Sequence, residues 1–104
     1  MGRTVCIVQG HPHGEGKHLC HAIADAYADG AKAAGASIRH VDLGEMDIPL
    51  FRNPAEFGQP PVDAIVAAQK AIKACDHLVV IYPLWLGTMP AVVKAFFESL
   101  AIAD

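Results

Sequence analysis

Short apolar runs alternate along this chain with segments whose apolar positions recur at helical spacing. The runs Val5–Val8 and Leu78–Tyr82 are typical of strands that are covered on both faces. Between them, Ser37–Leu43 alternates polar and apolar residues and predicts a strand nearer the sheet edge. Helical spacing follows each strand and predicts helices over residues 19–34, 61–75 and 91–102. Three successive βα units predict an α/β fold with a parallel sheet and right-handed crossovers.

The first and third predicted helices have recognisable apolar positions and helix ends. In the first helix the recurring apolar positions are Leu19, Ile23, Ala26, Tyr27 and Ala34. Gly35 then stands where a helix C-terminus favours positive φ. For the third helix, Thr88 is the expected N-cap and Pro90 the helix-start residue. Its inward-packing residues are expected to be Val92, Val93, Phe96, Phe97 and Leu100.

Composition narrows the classes of protein and partner. The 104 residues predict a single domain over 1–104, and a hydrophobic content of 53% excludes a disordered chain. The net charge is −3 and no basic run is present, so we expect no nucleic-acid partner. No apolar stretch reaches the roughly 18 residues of a membrane span, and no signal-peptide pattern precedes the first strand. Three cysteines without a close pair indicate a reducing compartment, so we expect a cytoplasmic protein.

The turn after the third strand is a candidate cofactor site. Pro83, Leu84, Trp85 and Gly87 follow a strand whose carboxyl end would face a ligand in a parallel sheet. Trp85 offers an apolar ring, and Gly87 allows a ligand to approach the backbone closely. The alternative is that Leu84 and Trp85 only cap the core beneath the following helix.

The loop Gly10–His18 lies between a strand and a helix, where backbone N–H groups and the helix dipole favour a phosphate. It is not a Walker A loop, because His11 and His18 stand where Gly and Ser or Thr are required. It is not a Rossmann fingerprint either, because Leu19 replaces the last glycine. The alternative is a glycine-rich turn that joins two elements without binding anything.

Metal and hydrolase chemistry have weak support. The pairs His11 and His13, or His18 and His21, could each reach one ion, but no carboxylate or thiolate completes a recognisable spacing. We therefore expect no metal site and interpret His21 as a surface or boundary residue. No nucleophile motif is present, and no catalytic residue is predicted.

Two motifs together resemble a known family. Gly10-His11-Pro12 begins the first loop, and Tyr82-Pro83-Leu84-Trp85, Met89-Pro90-Ala91 and Lys94 follow the third strand. This pattern resembles the flavodoxin-like NAD(P)H:quinone oxidoreductases, the DT-diaphorase family. The resemblance implies a three-layer α/β/α fold in which the visible strands have the order 2-1-3. It also implies a flavin enzyme that passes two electrons from NAD(P)H to a quinone.

The resemblance also implies which residues contact the flavin. His18 and Leu19 occupy the place of the family's Ser-Phe, and Leu86 that of its second aromatic residue. In the first loop Lys17, His18 and backbone N–H groups would replace the serine hydroxyl at the phosphate. The implied cofactor-binding residues are His11, Lys17, His18, Leu19, Pro83, Leu84, Trp85 and Leu86. The residues leave open the choices between FMN and FAD and between NADH and NADPH.

The chain has about half the length that the resemblance implies, so we expect a truncated N-terminal half of the family's domain. The third strand would then have an unpaired, uncharged edge, which favours association. We expect a homodimer or higher homo-oligomer. The alternative function is a non-catalytic interaction module, such as an ancillary or regulatory subunit, without hydride transfer.

Overall fold

The chain, described here by a computed structural model that covers residues 2–102, forms three βα units. The strands are β1 Thr4–Gln9, β2 Ser37–Asp42 and β3 His77–Ile81. The helices are α1 Leu19–Ala33, α2 Asp63–Ala74 and α3 Ala91–Leu100. Two 3₁₀ turns, Leu43–Glu45 and Pro54–Gly58, lie within the long connection between β2 and α2.

The three strands form one parallel sheet in the order β2-β1-β3. Val8 of β1 lies opposite Val41 on one side and Val80 on the other. This order confirms the flavodoxin-like prediction of 2-1-3, and the alternation of strands and helices confirms the α/β class. The sequence pattern located the strands to within one residue at each end.

Each face of the sheet has its own core. One core joins Cys6 and Val8 of β1 to Ile65 of α2 and to Val93 and Phe96 of α3, all of them buried. On the opposite face, a smaller core joins Val5 and Ile7 to two alanines of α1, Ala24 and Ala28. Residues of β1 alternate between these two cores because successive side chains of a strand point to opposite faces.

The apolar stripe that marks α1 as a helix is not the face that packs on the sheet. Leu19, Ile23 and Tyr27 are 75%, 45% and 39% exposed, and the buried face consists of Cys20, Ala24 and Ala28. These small residues recur every four positions and let the helix approach the strands closely. The large apolar side chains therefore lie on the outer side of α1.

The start of α3 differs from the prediction. Pro90 is the N-cap and the helix begins at Ala91, so Thr88 lies outside the helix and is not its cap. Thr88 instead exchanges backbone hydrogen bonds with Trp85. The prediction for Phe97 was also wrong, because its side chain is 37% exposed while Val93 and Phe96 fill the core.

Within residues 2–102, β3 pairs with β1 alone, and its other edge carries no strand. Leu78 on this strand is 40% exposed. A right-handed crossover that continued from α3 would place a further strand beside this edge. The edge and the outer side of α1 are thus apolar surfaces that the described residues leave open.

Candidate functional site

The loops after β1 and β3 meet at the carboxyl end of the sheet. The Gly10 N–H donates to the carbonyl of Ile81 with a donor–acceptor distance of 2.6 Å. A Cβ on Gly10 would come within 2.8 Å of that carbonyl oxygen and 2.9 Å of Cγ2 of Val93, so only glycine fits. The helices that follow β1 and β3, α1 and α3, pack on opposite faces of the sheet, which makes this junction the switch point where parallel sheets bind ligands.

Gln9, the last residue of β1, holds the first loop against α1. Its buried side chain donates through Nε2 to the carbonyl of Cys20 at 2.9 Å and accepts the His11 N–H at Oε1, at 3.1 Å. The sequence analysis did not single out Gln9. The available signal was its position as the polar residue that ends an otherwise apolar strand.

Four imidazoles, which we call the histidine cluster, gather on the first loop and the start of α1. They belong to His11, His13, His18 and His21. The rings of His11 and His18 stack with centroids 3.8 Å apart and planes 8° from parallel. Nδ1 of His13 lies 3.2 Å from Nε2 of His18, within hydrogen-bond distance. Gly16 makes this packing possible, because an added Cβ there would overlap the rings of His13 and His18.

Backbone hydrogen bonds fix the tautomers of two of these imidazoles. The His13 N–H donates to Nδ1 of His11 at 3.1 Å, and the His18 N–H donates to Nδ1 of His21 at 3.2 Å. An Nδ1 that accepts a hydrogen bond is unprotonated, so Nε2 is the protonated nitrogen of the neutral ring. Nε2 of His21 is buried and has no partner among the described residues. His21 is half-buried, as expected of a boundary residue, and its ring also belongs to the cluster.

Burial lowers the pKa of His11 below its ordinary value of 6.5. Its side chain is 7% exposed, and charge on His18, His21 or His13 lowers the pKa further. Water cannot solvate a cation at this position, and the neighbouring imidazoles repel one. His11 is therefore held as a neutral donor through Nε2 at neutral pH.

The turn after β3 projects three apolar side chains away from the core. Trp85 and Thr88 exchange two backbone hydrogen bonds, of 2.8 and 3.1 Å, around a two-residue turn. Both turn residues have positive φ, +50° at Leu86 and +81° at Gly87, as tight hairpin turns require. Leu84, Trp85 and Leu86 are 73%, 47% and 104% exposed. Leu84 is largely exposed and Trp85 is about half-exposed, and neither belongs to the two cores of the sheet.

The two loops contact each other through His11 and Trp85. The rings meet edge to face, with centroids 5.9 Å apart and planes at 85°. The structure thus brings together three of the residues implied as cofactor-binding, His11, His18 and Trp85. Within the same loops, Lys17 and Leu19 are exposed and Pro83 is half-buried.

The N-terminal end of α1 adds donors to the same region. The N–H groups of Leu19 and Cys20, the first two helical residues, have no acceptor among residues 2–102. Such orphan N–H groups and the positive end of the helix dipole favour a negatively charged ligand. The arrangement therefore offers anion donors at the first loop and an apolar surface at the third.

Among residues 2–102, no group of three or more His, Cys, Asp or Glu residues is arranged to hold a metal ion. None of the helices there combines the length and the hydrophobicity that crossing a membrane requires.

A family model for the flavodoxin-like fold matches residues 3–104. The chain belongs to this flavodoxin-like family. The FMN-dependent NADH:quinone oxidoreductase of Bacillus velezensis is 25% identical over 118 residues, which cover 95% of this chain and 56% of that protein. The enzyme of the same name from Nitratidesulfovibrio vulgaris strain DP4 is 28% identical, with 93% of this chain and 54% of the relative covered. The chain spans about half the length of these curated relatives.

Solved structures resemble this flavodoxin-like chain in fold. The NAD(P)H:quinone oxidoreductase from Methanothermobacter marburgensis superposes with a TM-score of 0.78 at 24% identity, covering 96% of this chain and 53% of that one. An FMN-dependent NADH-azoreductase from Bacillus anthracis, solved in complex with FMN, superposes with a TM-score of 0.70 at 14% identity. The match covers 97% of this chain and 57% of that one. These likenesses confirm the fold, and the family model confirms the family resemblance found in the sequence.

Proposed function

We propose that this chain binds FMN across the carboxyl ends of β1 and β3 and serves in the two-electron reduction of quinones by NAD(P)H. One observation carries the proposal: an exposed apolar turn, Leu84–Leu86, lies beside His11 at the switch point of the sheet. The names of the curated relatives specify FMN, NADH and quinone, which supports FMN over FAD.

The described residues fit such a cofactor at both ends. The phosphate would take the first loop, where His18 and the orphan N–H groups of Leu19 and Cys20 are available. Lys17 is exposed beside them and adds positive charge. The flat ring system would lie toward Trp85 and its apolar neighbours in the turn. When bound, FMN supplies the hydride-accepting chemistry, which no protein side chain provides.

The roles of the chain's own residues are binding and positioning. Gln9 fixes the first loop to α1 through its two buried hydrogen bonds, so the anion donors are placed before a ligand arrives. Gly10 fixes the distance between the two loops. Leu84 and Leu86 would exclude water from one side of the ring. Neutral His11 can donate one hydrogen bond through Nε2 without adding a full charge.

Flavin titration tests the proposal directly. FMN fluorescence is followed as protein is added, and we expect saturable quenching. Riboflavin lacks the phosphate and serves as the matched ligand, and we expect it to bind more weakly. Phosphate contact with the first loop should also shift the amide resonances of residues 13–19. Absence of saturable quenching by FMN would refute the proposal, and equal affinity for riboflavin would refute the phosphate site. FAD in the same titration decides between the two flavins.

Electron transfer needs a separate measurement. Once the flavin has bound, NADH and NADPH are added in turn without oxygen, and bleaching of the flavin absorbance reports its reduction. A quinone should then restore the absorbance. If the chain binds flavin but neither nucleotide reduces it, the chain is a flavin-binding half-domain. That result would contradict the enzymatic proposal.

The thiols support our proposal that the protein functions in the reducing cytoplasm. Cys6 and Cys20 are buried free thiols, and Cys75 is half-buried. Burial raises the pKa of both Cys6 and Cys20, so these thiols are held protonated and unreactive. They act as small apolar core groups rather than as disulfide partners.

A second candidate function has its own observation. The free edge of β3 and the exposed stripe of Leu19, Ile23 and Tyr27 are open apolar surfaces, which favour a non-catalytic interaction module. A homodimer or higher homo-oligomer would cover them. Sedimentation equilibrium at micromolar concentration measures this, and a species of only 11.0 kDa would refute self-association. Self-association without flavin quenching would favour the module over the enzyme.

A further inference from the structure

The histidine cluster contains two kinds of imidazole that respond differently to protons. In His11 and His21, Nδ1 already accepts a backbone N–H, so a second ring proton would break a loop hydrogen bond. Nδ1 of His13 and Nε2 of His18 instead face each other at 3.2 Å, where one nitrogen donates and the other accepts.

The His13–His18 pair has room for one added proton. A proton added at the outer nitrogen of the ring that donates leaves the hydrogen bond between the rings intact and gives the pair a single positive charge. A second added proton would place two N–H groups against each other at 3.2 Å. The geometry of the pair therefore leaves a place for one added proton and none for a second.

We propose that the His13–His18 pair couples oxyanion binding at the first loop to uptake of one proton, so that the anion binds more tightly as the pH falls. The anion would be the phosphate of FMN, and for this identity the inference rests on the proposed function. No bond other than N–H is made: the proton comes from solvent and stays on the pair while the anion is bound.

Donors around the pair are arranged for an oxyanion. The orphan N–H groups of Leu19 and Cys20 lie at the start of α1, next to His18. Nε2 of His21 carries the proton of its neutral ring and meets no acceptor among the described residues. An anion at the start of α1 would accept from the N–H groups of Leu19 and Cys20, and imidazolium beside it would add charge attraction.

Other charged groups face the cluster from neighbouring elements. Asp25 of α1, and His40 and Asp42 of β2, line a cavity of 350 Å³ together with His21. Glu45 packs against Gly14 of the first loop, which itself contains Glu15 and Lys17. The β3 side contributes the uncharged ring of Trp85. The carboxylates oppose an anion on the β2 side, which leaves the start of α1 for the anion.

Sulfate is the probe for the test, because its charge stays constant over the range in which imidazole titrates, about pH 5 to 8. Calorimetric titrations at constant ionic strength would compare sulfate affinity at about pH 6 and pH 8, and we expect at least about threefold tighter binding at the lower pH. Repeating the titration in buffers of different ionisation enthalpy counts the protons taken up. We expect a fraction of a proton that does not exceed one per anion.

Matched glutamine variants separate a proton-coupling role from a structural one. His13→Gln places a neutral amide at an exposed position and should abolish the pH dependence while weak sulfate binding persists. His77→Gln makes the same change at an exposed site at the other end of the sheet and should keep the wild-type dependence. If His13→Gln fails to fold, His18→Gln is the second variant. It should likewise abolish the pH dependence of sulfate binding. Unchanged pH dependence in both cluster variants would overturn the proposal, as would equal affinity of the wild type at the two pH values.

FMN titrations on the same samples keep the two proposals distinguishable. FMN binding together with sulfate affinity that is independent of pH overturns the proton coupling alone. Proton-coupled sulfate binding in a chain that does not bind FMN supports the coupling and overturns FMN as its ligand.

Discussion

The indole of Trp85 meets the imidazole of His11 edge to face, with centroids 5.9 Å apart. These residues are far apart in the chain, and their contact joins the loop after β1 to the loop after β3. The loop after β3 contributes exposed apolar side chains, and the loop after β1 with the start of α1 contributes N–H donors and imidazoles. This combination suits a ligand with a flat ring at one end and a phosphate at the other.

Replacing Trp85 with alanine should weaken FMN binding by roughly 1–2 kcal/mol, because ring stacking supplies part of the affinity. We expect little loss of folding stability, since the side chain is 47% exposed. Phe57→Ala is the matched control, because Phe57 is also 47% exposed but lies in a 3₁₀ turn of the connection between β2 and α2. Fluorescence titration measures affinity, and thermal melts measure stability. Equal FMN affinity in wild type and Trp85→Ala would count against stacking.

Leu86 adopts φ of +50°, a backbone conformation that is unfavourable for leucine. Leu86→Asn should raise the free energy of unfolding by about 0.5–1 kcal/mol, because asparagine tolerates this conformation and no buried surface is lost. Leu84→Asn at the neighbouring exposed position, without positive φ, should leave stability unchanged. The same Leu86→Asn variant should bind FMN less tightly, because it removes apolar surface from the proposed ring site. Chemical denaturation that shows no difference between the two variants would refute the strain argument.

Alanine substitutions at two glycines, one inside α1 and one just after its C-terminus, should change folding stability in opposite directions. Gly30 lies inside the helix, and an added Cβ meets nothing within 4 Å, so Gly30→Ala should stabilise by about 0.5–1 kcal/mol. Gly35 has φ of +92° with equally open space, so Gly35→Ala should destabilise by about 1 kcal/mol. Melting temperatures should move in opposite directions, by a few degrees each. A fall in melting temperature for both variants would show that α1 needs the flexibility of Gly30.

The lowered pKa of His11 makes folding stability depend on pH. In the unfolded chain His11 takes up a proton near its ordinary pKa of 6.5, while in the folded chain it stays neutral to lower pH. Its contribution is therefore fully present above pH 6.5 and is lost as the pH falls from 6.5 toward the lowered folded pKa. His11→Asn should reduce this loss, and His77→Gln should not. Denaturation midpoints between about pH 5 and 8 provide the measurement. If His11→Asn loses stability as steeply as the wild type when the pH falls, other groups cause the pH dependence.

The sequence by itself determined the fold class, the strand order through the family resemblance, and the strand positions. Apolar runs such as Val5–Val8 and the helical spacing that follows them are local patterns. A strand that is buried on both faces has apolar residues at consecutive positions, so the sequence shows it directly. The positive φ of Gly35 was also readable, because a helix end imposes it locally.

Only the tertiary structure decided which side of each helix packs and which loop residues meet. The apolar spacing of α1 predicted a helix, but close approach to the sheet required the alanine face, so Leu19 and Tyr27 lie outside. The histidine cluster and the contact between His11 and Trp85 depend on loop paths that no periodicity encodes. Such contacts join residues that are irregularly spaced or distant in the chain, and the sheet order alone brings the ends of β1 and β3 together.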